Sequence, residues 1–86
     1  MQLHTMIDTV ESRGLTIEDW DIKLIQVGKR YYKEYIIFTI VHDTLISVSY
    51  RTNSRRCYTV IDGHNASYKT LDNALDVIIY YKERNQ

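Results

Sequence analysis

The chain has 86 residues, of which 44% are apolar and 26% charged, and its formal net charge is zero. This composition is typical of a globular protein and argues against disorder. A net charge of zero also argues against a dedicated nucleic-acid binder, which is usually strongly basic. Its apolar runs fall far short of the roughly 20 residues of a membrane helix. The lone cysteine, Cys57, excludes an internal disulfide. We therefore expect one domain over residues 1–86, in the cytoplasm and without membrane association.

The first predicted element is a helix. Apolar residues recur at intervals of three and four, as on one face of a helix: Leu3, Met6, Ile7 and Val10. Gly14 stands where helices often end with a residue in the left-handed conformation. The pattern predicts a helix from about Leu3 to Arg13.

Four strands are predicted next, because runs rich in β-branched and aromatic residues are separated by turn residues. The runs are Trp20 to Ile25, Tyr31 to Val41, Leu45 to Arg51 and Arg56 to Asp62. The predicted turns between them are Gly28-Lys29-Arg30, His42-Asp43-Thr44 and Asn53-Ser54.

A second helix is predicted from Thr70 to Arg84, with Leu71, Ala74, Leu75, Ile78 and Ile79 along one face. Thr70 is placed to cap its start, and the acids near its start and cations near its end complement the helix dipole. The expected fold is α+β: a four-stranded antiparallel meander with both helices on one face, in the order α-β-β-β-β-α.

The register of the middle hairpin is predicted from apolar matching. If His42-Asp43-Thr44 forms a three-residue loop, Ile40 faces Ile46 and Phe38 faces Val48. A slip of one residue would move every side chain to the other face of the sheet. The opposite face is then expected to stay partly open, with Tyr35, Ile37, Thr39 and Val41 beside Leu45, Ser47, Ser49 and Arg51. A homodimer through the Tyr35/Ile37/Val41 face is one expectation.

The charges are expected to separate along the sheet. Alternate turns of a meander lie at the same end, which gathers Lys29, Arg30, Lys33, Arg51, Arg55 and Arg56, with Lys82 and Arg84 nearby. Glu18, Asp19, Asp21, Asp43 and Asp62 are expected at the other end. Tyrosines interleave with the cations, a mixture that suits both base stacking and protein contacts. The predicted contact residues are Lys29, Arg30, Tyr32, Tyr50, Arg51, Arg55 and Arg56. The alternative is that these turns are charged only because they are solvated.

No catalytic residue, metal site or cofactor is predicted. The three histidines, His4, His42 and His64, lack the spacing of metal ligands. The segment Asp62-Gly63-His64-Asn65 with Ser67 contains residue types used in acyl transfer, but Asp-Gly is first a turn signal. We therefore expect a protein that is not an enzyme.

The second half, a sheet followed by YKTLDNALDVIIYYKER, resembles small proteins of bacteriophages and mobile elements, among them anti-CRISPR and other anti-defence inhibitors. This resemblance implies an inhibitor or regulator that binds a host or defence-system protein. Tyr68, Lys69, Thr70 and Ala74 also resemble the sheet-type DNA-binding arms of integrases. The alternative function is accordingly a nucleic-acid-binding module that uses the basic end of the sheet.

Overall fold

The computed structural model describes residues 1–84 and contains two helices and five strands. The elements are α1 (Leu3–Ser12), β1 (Asp19–Val27), β2 (Arg30–Val41), β3 (Thr44–Arg51), β4 (Cys57–Ile61), β5 (His64–Tyr68) and α2 (Leu71–Arg84). The strands form one antiparallel sheet in the order β1-β2-β3-β4-β5. The α+β class and the meander order are confirmed, whereas the predicted number of strands was one too few. No helix within residues 1–84 is long and apolar enough to cross a membrane.

The helices cover one face of the sheet and form the core with it. The buried residues include Met6 and Val10 of α1, Leu71, Ala74, Leu75 and Ile78 of α2, and Ile37, Ile46, Val48 and Cys57 of the sheet. Burial of each large aliphatic side chain contributes about 1.5–3 kcal/mol. The apolar spacings in both helix sequences therefore identified the faces that pack. Thr70 caps α2 as predicted, because its hydroxyl accepts a hydrogen bond from the N–H of Asn73 at 3.1 Å.

The register predicted for β2 and β3 is wrong by one residue. His42 and Asp43 both have positive φ, 51° and 60°, and form a two-residue hairpin turn of the kind that matches the twist of the strands. Thr44 belongs to β3, and Ile37 faces Val48. Side chains that were expected on one face therefore lie on the other.

The face proposed for homodimerisation is consequently the core. Tyr35 is 9% exposed, Ile37 is fully buried and Val41 is 5% exposed, all beneath the helices. The face that carries no helix instead carries Ile36, Phe38 and Ile40 from β2, of which Ile36 is buried and Ile40 is exposed. We call it the helix-free face.

The fifth strand reverses the expected direction of α2. Asp62 and Gly63 form a second tight turn with positive φ values of 50° and 80°, and β5 returns along β4 toward the basic end. α2 therefore starts at that end and runs away from it. The ring Nε2 of His42, in the turn at the opposite end, lies 2.7 Å from the carbonyl oxygen of Lys82. The prediction that Lys82 and Arg84 join the basic end is wrong for this reason.

The hairpin of β1 and β2 extends beyond the rest of the sheet. Pairing between β2 and β3 ends at Glu34 and Arg51, whereas β2 continues to pair with β1 as far as Arg30. We call the resulting two-stranded ribbon, residues 24–33, the hairpin arm. Its base is held where the N–H of Thr52 donates to the carbonyl of Lys33 at 2.9 Å. The molecule measures 47 × 24 × 21 Å.

Candidate binding surfaces

The helix-free face contains a shallow depression of about 490 Å³. Its apolar residues are Ile36, Phe38 and Val60, and its polar and charged residues include Lys23, Ser47, Ser49, Arg51, Tyr58 and Asn65. The alternation of the strands places these side chains here, because every second residue of β2, β3 and β4 points away from the helices. Beyond the depression, Ile40 and Leu45 face each other and are 50% and 58% exposed. This face is therefore half apolar, and its exposed apolar side chains are those of Ile40, Leu45 and Val60.

Glu34, Arg51 and Tyr58 form a linked cluster at one side of the depression. The Nε of Arg51 donates to Oε2 of Glu34 at 2.8 Å, and its guanidinium carbon lies 4.3 Å from the ring centroid of Tyr58. The hydrogen bond to Glu34 raises the pKa of Arg51 above its ordinary value. The carboxylate neutralises the guanidinium charge, so the cluster offers a flat, largely neutral surface.

The basic end carries cations that have no acidic partner. Lys29 and Arg30 lie at the tip of the hairpin arm, and Arg55 lies in the turn between β3 and β4 with φ of 59°. Within residues 1–84 none of the three forms an ion pair with a carboxylate. Arg30 and Tyr32 line a second depression of about 440 Å³ together with residues 52 and 53 of that turn. The first and third turns therefore share one end of the sheet, as the meander order implies.

Besides Arg51, two of the predicted contact residues make contacts within the fold that the sequence did not reveal. Tyr50 is 6% exposed, and its ring stacks on Tyr35 with centroids 6.3 Å apart. Because the register turns it toward the helices, Tyr50 belongs to the core and not to an exposed contact surface. Arg56 remains on the surface, where its guanidinium donates to the hydroxyl of Ser67 in β5 at 3.1 Å.

The apolar part of the helix-free face was not predicted from the sequence. Phe38 was expected to face Val48 in a matched apolar layer, but it faces Ser47, and Ile36 faces Ser49. The signal that could have found them is the alternation in β3, where Ser47 and Ser49 mark the solvent side. A strand with one buried and one solvated face shows this alternation.

The residues considered for acyl transfer lie in a hairpin turn and in β5, and the cysteine lies in the core. Cys57 is fully buried, and burial raises the pKa of its thiol to about 11. The thiolate is the nucleophilic form of cysteine, so this group is inert near neutral pH. Asp62 belongs to the hairpin turn, and His64 and Ser67 belong to β5. The described residues contain no group of three His, Cys, Asp or Glu side chains suited to a metal ion.

Comparisons of the chain with protein-family models, with curated proteins and with solved structures found no match. The functional interpretation therefore depends on the geometry of these surfaces.

Proposed function

We propose that this chain is a non-enzymatic binding module that inhibits or regulates another protein by covering part of its surface. The observation that carries the proposal is the helix-free face. Both faces of the sheet carry apolar residues, but helices cover only one of them. Sheets of this kind normally bury an apolar face against a second layer, and an exposed apolar patch marks an interaction site.

Three features favour a protein partner at this face. The depression is shallow and broad, which suits a flat contact surface better than a small ligand. Tyr58 and Arg51 are the residue types that dominate binding energy in protein interfaces. The charge of Arg51 is already balanced by Glu34, which weakens any attraction to phosphate. The partner class that we propose is a host or defence-system protein in the cytoplasm, as the resemblance to phage-type inhibitors implies.

The test changes the helix-free face without changing the core. Val60 is 38% exposed and faces Ser47 in the middle of this surface, so Val60→Arg introduces bulk and charge at the contact. Tyr80→Arg, at a position of α2 that is 63% exposed, is the matched control. Proteins captured from a host lysate are compared by quantitative mass spectrometry, with nuclease treatment in parallel to detect bridging nucleic acid.

The proposal predicts a protein that is captured by the wild type and by Tyr80→Arg but not by Val60→Arg. With that protein purified, Val60→Arg should weaken its affinity by at least about tenfold, or about 1.4 kcal/mol. Capture of the same proteins at the same level by all three chains would contradict the proposal.

A second candidate function is nucleic-acid binding through the hairpin arm. The arm is a two-stranded ribbon with Lys29 and Arg30 at its tip, neither of which pairs with a carboxylate of the described residues. The DNA major groove admits such a ribbon. We would titrate duplex DNA and single-stranded RNA at two salt concentrations with Arg30→Glu and with the control Arg84→Glu, which makes the same charge change at the end of α2. Loss of one phosphate contact should lower the slope of log affinity against log salt by about one for Arg30→Glu alone. Undetectable binding at low salt would dismiss this candidate.

A further inference from the structure

Among residues 1–84, no strand lies beside the outer edge of β1. β1 is the first strand of the sheet, and the N–H groups of Trp20 and Ile22 donate to the carboxylates of Asp19 and Asp21, both at 2.8 Å. These two N–H groups therefore point away from β2, and in the single chain the neighbouring carboxylates accept their hydrogen bonds. A long edge strand is a template for pairing with another chain, and a second strand would replace these two local bonds.

This edge is also apolar on one side. Trp20, Ile22 and Leu24 are 50%, 43% and 67% exposed, and alternation places all three on the side of the sheet that carries the helices. α2 packs over β3, β4 and β5, so this stripe lies beyond it. Asp21 and Lys23 alternate with it and point to the helix-free face.

The sequence of β1 is complementary to itself in one antiparallel register. When two copies are related by a two-fold axis at Ile22, Ile22 faces Ile22 and Trp20 faces Leu24 of the other copy. In the same register Asp21 faces Lys23, and symmetry makes this ion pair twice. Directly opposed apolar pairs and opposite charges each stabilise neighbouring strands.

The adjacent registers lack this match. An axis at Asp21 sets the two Asp21 carboxylates against each other, and an axis at Lys23 does the same for the two lysines. An axis at Trp20 opposes Asp19 to Asp21. An axis at Leu24 leaves Asp21 and Lys23 facing apolar residues. Like charges directly opposite are destabilising, so charge and apolar pattern together select the axis at Ile22.

We infer that two copies of this chain associate by pairing β1 with β1 about a two-fold axis at Ile22, which joins their sheets into one. With the N–H groups of alternate residues directed outward, the pairs that exchange two hydrogen bonds each are Trp20–Leu24, Ile22–Ile22 and Leu24–Trp20. The N–H groups of Trp20 and Ile22 would give up their bonds to Asp19 and Asp21 to form them. The stripes of Trp20, Ile22 and Leu24 from both copies then form one apolar strip between the two helix layers. The inference does not depend on the proposed function, because dimerisation through the edge of β1 is measured without a partner protein, although Lys23 also lines the depression on the helix-free face.

The first test is the mass of the wild-type chain in solution. Sedimentation equilibrium should show the mass rising with concentration from 10.3 kDa toward twice that value. Trp20 is the only tryptophan, so its emission should shift to shorter wavelength over the same range as water is excluded from its ring. A mass that stays at that of one chain up to about 1 mM would overturn the inference.

The second test exchanges charges to check the register. Asp21→Lys and Lys23→Asp each place like charges opposite one another in a pure sample, so each should weaken dimerisation by at least about tenfold. An equimolar mixture of the two variants restores opposite charges across the axis and should recover the dimer. Ile22→Lys, at an exposed position, sets two lysines on the axis and should give a monomer with an unchanged circular dichroism spectrum. Full dimerisation of the single variants, or no recovery on mixing, would refute this register.

Discussion

Replacing Arg51 by methionine should destabilise the fold because it leaves the negative charge of Glu34 without its partner. The Glu34 side chain is only 11% exposed and its carboxylate bonds the guanidinium, whereas the Arg51 side chain is 39% exposed. Methionine keeps the length of the aliphatic stem but supplies no donor. The carboxylate of Glu34 would then remain near the protein interior without its partner.

The burial of the pair sets the magnitude. Breaking a fully buried pair costs about 3–5 kcal/mol, and an exposed pair contributes at most about 1 kcal/mol. The Glu34–Arg51 pair lies between these limits, so we expect a loss of about 2 kcal/mol. Loss of the contact between the guanidinium and the Tyr58 ring adds about 0.5 kcal/mol. A domain of this size should then melt roughly 10–20 °C lower.

Urea unfolding followed by Trp20 fluorescence and by circular dichroism measures this change. Glu34→Gln and the double variant Glu34→Gln/Arg51→Met complete a double-mutant cycle. The double variant should lose about 1–2 kcal/mol less than the sum of the single losses, because no carboxylate is left unpaired. Simple additivity, or a loss below about 0.5 kcal/mol for Arg51→Met, would show that the pair is solvated and the reasoning wrong.

Three further changes test other parts of the fold. The Cys57 thiol has an ordinary pKa of 9.0, and burial raises it to about 11 in the folded chain. Between these two pH values the thiol ionises in the unfolded chain before it does in the folded one, so the free energy of unfolding should fall by at most about 2–3 kcal/mol. In urea titrations Cys57→Ala should not show this contribution to the decrease, and below pH 9 the neutral thiol contributes no pH dependence. Thr70→Ala removes the cap of α2 and should cost about 1 kcal/mol in the same assay. Asp43→Gly removes the strain that a side chain causes at positive φ, so it should raise the melting temperature by a few degrees, equivalent to about 0.5–1 kcal/mol. A lower melting temperature would mean that the aspartate side chain stabilises the turn.

The strongest local signals in the sequence predicted elements correctly. The apolar intervals in α1 and α2, the left-handed Gly14 with φ of 83° and the cap at Thr70 all act within a few residues. Such features depend on residues that are close in the sequence, so the sequence alone was enough to predict them. The bounds of β2, β3 and β4 were accurate to one residue for the same reason.

The register was missed because both faces of β2 are apolar. Ile36, Phe38 and Ile40 match the residues of β3 as well as Ile37 and Val41 do, so apolar matching could not choose between them. The two-residue turn at His42-Asp43 decides the register, and it requires positive φ at residues other than glycine. Neither His nor Asp signals this conformation as strongly as Asn-Gly does.

The strand β5 was missed because its sequence, HNASY, contains no β-branched residue. It is held by its ladder with β4 rather than by propensity, and strand formation depends strongly on such context. One unrecognised strand was enough to reverse the direction of α2 and to place Lys82 at the wrong end. The predicted distribution of charge was therefore correct for the turns at the basic end and wrong for α2.

The order β1-β2-β3-β4-β5 has a kinetic consequence. Every strand neighbours the strand that precedes it in the chain, so the sheet can grow one turn at a time without closing a long loop. Folding rates rise as contacts become more local. We therefore expect this chain to fold faster than sheets of similar size whose strands cross over, with the docking of α1 onto the finished sheet as the late event.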